Sequence, residues 1–158
     1  MHSLLEAAAA APHAESVLAA CDAGSLALQL DLDPGEALAA IQAALRIVRS
    51  PQARVYFDAA QVRWARNEVD VAWPAADGGE PGWGRIDRLV ELDEAVWVLD
   101  YKLAARNLDP ARYAPILQRY AQAAAALRPG KPVRVALIGG DGSVGEWCAA
   151  DPAKAVSA

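Results

Sequence analysis

Two apolar runs, Gly-Arg-Ile-Asp-Arg-Leu-Val-Glu-Leu over 84–92 and Ala-Val-Trp-Val-Leu-Asp-Tyr-Lys over 95–102, are joined by Asp93-Glu94 alone. Neither run has the three-and-four spacing of a helix, so the pair predicts an antiparallel hairpin. Residues 68–73 alternate polar with apolar at period two, as a half-buried strand does, and the Pro, Gly and Asp of 74–82 form a turn. After the hairpin, Val133 to Ile138 is a β-branched run bounded by Gly139-Gly140, and Gly145 to Cys148 can pair back against it.

Helices frame these strands. From His2 to about Ala23 strong helix formers dominate, with Pro12 imposing a kink or a division into two shorter helices. Asp33-Pro34-Gly35-Glu36 starts another helix, with Asp33 as cap, Pro34 in the first turn and Glu36 three residues beyond the cap. Its apolar spacing, Leu38, Ile41, Leu45 and Val48, ends at Ser50-Pro51, and 52–57 adds a further turn. Asp109-Pro110 caps a last helix running through Tyr113, Leu117, Tyr120 and Ala124 to Leu127, before Pro129-Gly130. Helices, three strands, a helix and one or two strands predict an α/β sandwich with a central mixed sheet flanked by helices.

Composition narrows the function. A chain of 158 residues, 54% hydrophobic, fits one domain and can bury enough surface to exclude overall disorder. No apolar run approaches the roughly 18 residues of a membrane span, and no basic region precedes an apolar stretch, so the cytoplasm is the expected compartment. Cys21 and Cys148 are too few for a disulfide framework or a zinc site. A net charge of −5 argues against holding nucleic acid by bulk electrostatics; any DNA contact is local, metal-assisted or supplied by another domain.

The ionisable residues inside the hairpin carry the chemistry. Asp100 and Lys102 are two apart on one strand and so share a face, while Asp87 stands about as far from the turn on the other strand. Two adjacent carboxylates stay ionised together when a cation lies between them, and oxygen ligands with open positions suit Mg²⁺ or Mn²⁺. With Lys102 directed at a phosphoryl oxygen, this is equipment for phosphodiester hydrolysis. The plainer reading is a surface ion pair among Asp87, Asp100, Arg85, Arg88 and Lys102.

The two segments Gly84-Arg-Ile-Asp-Arg-Leu and Trp97-Val-Leu-Asp-Tyr-Lys resemble the nuclease domain that ends bacterial RecB/AddA-type helicase-nucleases, in the PD-(D/E)xK superfamily. Asn67-Glu-Val resembles that family's strand bearing a Glu, and His2-Ser-Leu-Leu-Glu6 its helical element with a metal-binding His. The resemblance implies that His2, Asp87 and Asp100 are metal ligands, that Tyr101 adds its backbone carbonyl, and that Lys102 is the catalytic lysine. Glu68 matches a family acidic position. It further implies a Mg²⁺-dependent (or Mn²⁺-dependent) exonuclease module of double-strand-break repair, acting on single-stranded DNA. Residues 1–158 would be a single nuclease-like domain, the C-terminal piece of a longer chain with helicase domains upstream, with a partner subunit.

The chain departs from the family where Leu103 stands in place of Thr or Ser, where Ile116 replaces a Gln, and where no Gly precedes His2. Leu103 and Ile116 favour a rival reading, a nuclease fold retained as a structural or docking module, which the intact Asp87, Asp100 and Lys102 set opposes. An iron-sulfur cluster, found in a neighbouring branch, needs four clustered cysteines. Trp97 is expected to be buried, Trp83 is the best candidate for a DNA contact among the tryptophans, and Arg106, Arg112, Arg119 and Arg128 are either a phosphate track or a solvated helix face.

Overall fold

Five strands form one sheet in the computed structural model, which describes residues 4, 5, 8, 13–74, 80–103 and 108–148. They are β1 (Trp64–Trp73), β2 (Gly82–Glu91), β3 (Val96–Lys102), β4 (Val133–Gly139) and β5 (Val144–Trp147), and their order in space is their order in the chain. The expected hairpin is its centre, with Arg88 opposite Leu99 and Glu91 opposite Val96. β1 pairs antiparallel with β2, and β4 with β5. β3 and β4 run parallel, which requires a crossover, and a helix supplies it. The sheet is therefore mixed, as the order of elements predicted.

Among the described residues the helices include α1 (Ala14–Ala19), α2 (Ala23–Leu30), α3 (Pro34–Arg49) and α4 (Ala114–Leu127). At α3 the capping box is complete: Asp33 accepts from the Gly35 N–H at 2.7 Å, and Glu36 accepts from the Asp33 N–H at 3.1 Å. Helix α2 was not anticipated; Asp22 caps it by accepting from the Ser25 N–H at 2.8 Å. The helix expected to start at Asp109-Pro110 also differs. Asp109 caps a 3-10 turn, Pro110–Tyr113, and the α-helix begins only at Ala114. Pro115 explains the delay: it has no N–H to donate to Ala111 and is tolerated only in a first turn.

The sheet separates two apolar layers. On one side Val90, Leu99, Ala136 and Ile138 pack with Leu18, Ile41 and Ile47 of α1 and α3. On the other Val96, Val98, Val135 and Leu137 pack with Leu117, Tyr120 and Ala124 of α4. The two sets alternate along β3 and β4, which are buried on both faces as the inner strands of such a sheet must be. Among the described residues no helix is long and apolar enough to cross a membrane.

Candidate active site

Alternation fails at one place in the described sheet, and the candidate site lies there. On β2, Leu89 and Glu91 face α4, whereas Arg88 and Val90 face the opposite layer. A regular strand would then send Ile86 away from α4, yet Ile86 belongs to the α4 layer. β1 changes phase at the same level, since Trp64 and Val69 both join that layer although five residues apart. The cause is Glu68, whose φ is 48°, in the left-handed region that side chains other than Gly avoid. Asn67 pairs with Arg88 and Val69 with Ile86, so Glu68 and Asp87 stand at matching positions across the break. As a bulge does, the break re-aims side chains.

Continuing the β2–β3 register one step past Arg88 and Leu99 sets Asp87 opposite Asp100. An Asp87 carboxylate oxygen, Oδ2, accepts from the Tyr101 N–H at 2.7 Å, which fixes its orientation beside β3. Asp100, buried, forms an ion pair with Lys102 on the same face. The Lys102 ammonium also lies 4.9 Å from the centre of the Tyr113 ring. Tyr120 closes the site from α4, so near to β2 that a Cβ at Gly84 would stand 3.0 Å from its hydroxyl. Burial holds the Tyr120 phenol above its usual pKa, and the negative charges of Asp100 and Asp87 add to the shift.

The structure thus brings Asp87, Asp100 and Lys102 together. Glu68 is next to them in register but exposed, and its carboxylate lies 3.4 Å from Arg85, which also bonds Asp70 at 3.1 Å. The hydrogen bond and charge of Asp70 raise the Arg85 pKa further. Tyr101 contributes its N–H to Asp87, while its ring is buried in the layer away from α4. His2 lies outside the described residues, as does Arg106. Among the described residues no three His, Cys, Asp or Glu side chains form a set that could hold a metal. Two adjacent carboxylates nevertheless fit Mg²⁺, which is commonly held by one or two carboxylates together with water and substrate phosphate.

Other residues have settled roles. Arg128, a candidate phosphate contact by sequence, is taken by an ion pair with Glu91 and stands 4.7 Å over the Trp64 ring. Trp97 is buried, and Trp83 is 81% exposed. Ile116 and Leu103, which depart from the family pattern, are half-buried against the two apolar layers. Sequence reasoning used Tyr113 only as a helix-register residue; its place against Lys102 follows from the 3-10 turn, for which Pro115 was the available signal.

The model of the PD-(D/E)XK nuclease superfamily matches residues 1–152. No curated protein matches the chain.

Proposed function

The chain belongs to the PD-(D/E)XK nuclease superfamily, and we propose that it is a Mg²⁺-dependent deoxyribonuclease of the exonuclease type. The observation that carries this reading is the meeting of Asp87, Asp100 and Lys102 at the break in the sheet. Asp87 and Asp100 would hold the ion, with His2 and the Tyr101 carbonyl completing the set; Mn²⁺ is an acceptable substitute. A bound ion supplies an activated water and polarises the phosphate. Lys102 neutralises charge developing on the phosphoryl oxygens, and Glu68, exposed and paired with Arg85, is a further acidic group beside the site.

The substrate is proposed to be single-stranded DNA in repair and recombination, delivered by helicase domains of a RecB-like helicase-nuclease of which residues 1–158 form one nuclease domain, with a partner subunit, in the cytoplasm. A net charge of −5 supports delivery by other domains, since the chain attracts a polyanion weakly. The rival docking-module reading draws on Ile116 and Leu103, whose apolar packing replaces polar family positions.

The test is cleavage of end-labelled single-stranded DNA under Mg²⁺ and under Mn²⁺. The wild-type protein is expected to cut and Asp87→Ala to be inert. Wild-type protein inert with both ions, alone and fused to its upstream helicase segment, overturns the nuclease reading in favour of docking.

A further inference from the structure

Lys102 has two partners of different kinds, and only one of them is wanted elsewhere. Asp100 is its ion-pair partner and, under the proposed nuclease reading on which this inference rests, also a metal ligand. A carboxylate that gives its charge to a divalent ion holds an ammonium less tightly. The second partner is the face of Tyr113, 4.9 Å from Nζ to the ring centre and inside the roughly 6 Å range of a cation–π contact. The Lys102 side chain is 26% exposed, so the contact is partly shielded from water and correspondingly stronger.

The ring's position is built into the fold. Tyr113 closes the 3-10 turn Pro110–Tyr113 and immediately precedes α4. Asp109 fastens the turn by accepting from the Ala111 N–H at 3.1 Å, and Pro110 sits close over Gly145 of β5, where a Cβ would come within 3.2 Å of its ring. Tyr113 is thus anchored through β5 and α4, independently of Asp87 and Asp100.

We propose that Tyr113 is the positioning residue of Lys102: its ring keeps the ammonium at the site when Asp100 is engaged as a ligand, leaving the N–H groups directed to the phosphate. A ring face suits this task because it attracts a cation without competing for a hard metal ion. The hydroxyl is not needed, so Phe should replace Tyr and an aliphatic residue should not.

Two readouts test the proposal. In metal-free protein, the ring should shield the Lys102 ε-methylene protons, giving an upfield NMR shift identified by its loss in Lys102→Ala. That shift is expected to persist in Tyr113→Phe and vanish in Tyr113→Leu, with thermal unfolding confirming that both variants fold. In single-stranded DNA cleavage, Tyr113→Leu is expected to lower kcat about tenfold with KM and calorimetric Mn²⁺ affinity unchanged, and Tyr113→Phe to match wild type. Unshifted ε-methylene protons in the wild type, or cleavage by Tyr113→Leu at the wild-type rate, overturns the proposal. If the wild type cuts no DNA, the nuclease reading fails, and the NMR comparison still decides whether Tyr113 holds Lys102.

Discussion

The two ends of the β2–β3 hairpin bury carboxylates on the same face, under the same helix, and treat them oppositely. Near the turn, Glu91 pairs with Arg128 and, at 2.7 Å, with Lys131, and Arg128 stacks on Trp64. One negative charge meets two positive ones, and the cluster ties β2 to the end of α4 and the loop after it. At the open end Asp87 and Asp100 converge with Lys102, and these three groups sum to one negative charge. That end also contains the left-handed Glu68, a conformation costing about 1 to 3 kcal/mol. A cluster whose one carboxylate is paired twice, in regular strand, is a clamp. An anionic cluster kept at a strained break is the kind of arrangement that a bound cation completes.

The sharpest way to break this contrast is to exchange neutral isosteres between the ends. Asp100→Asn is expected to lower Mg²⁺-dependent cleavage at least about a hundredfold and to abolish any rise in melting temperature on adding Mn²⁺, read by calorimetry and thermal unfolding. Glu91→Gln should leave cleavage intact. Its cost falls on stability, about 1 to 2 kcal/mol, below the value for a fully buried pair because the Arg128 side chain is 38% exposed. Denaturant unfolding measures it, and a larger loss of cleavage in Glu91→Gln than in Asp100→Asn would reverse the assignment of the two ends.

A smaller effect sharpens the account of the break. Glu68→Gly should be more stable than Glu68→Ala by about 1 kcal/mol, because glycine adopts positive φ without a Cβ clash. Equal stabilities in urea would show that Glu68 carries no backbone strain. The least effect concerns alkaline pH. Burial raises the Tyr56, Tyr101 and Tyr120 phenols above their ordinary 10.0, so the folded state favours the protonated forms. Their stabilisation is complete below pH 10, the unfolded value, and is lost as pH rises through the folded values. Tyr120→Phe should therefore reduce the alkaline loss of stability slightly, and an unchanged profile would show that burial does not hold its phenol protonated.

Much of this was legible in the chain itself. The hairpin, its turn at Asp93-Glu94 and the start of α3 follow from local rules that a few neighbouring residues satisfy: absence of helical spacing, a two-residue connection, a reciprocal cap. Asp100 and Lys102 share a face for the same reason, since a two-residue separation on a regular strand leaves no choice. Asp87 opposite Asp100 follows from counting back from the turn. The superfamily is likewise carried by residue types at fixed spacing.

The phase change at Glu68 and Asp87 was beyond such rules. Period-two reading assumes a regular pleat, and nothing in Asn67-Glu-Val marks a glutamate that will take positive φ. Only pairing on both sides, Asn67 with Arg88 and Val69 with Ile86, over-determines that conformation. Tyr113 is a similar case: sequence placed it on a helix, but its distance from Lys102 depends on a turn packed against β5, far along the chain. The sequence by itself determined which elements form and which charges sit in them, because those depend on near neighbours. Which of those charges are neutralised and which are left to meet a ligand was decided by tertiary structure, because it depends on what the sheet's register and α4 bring from distant segments.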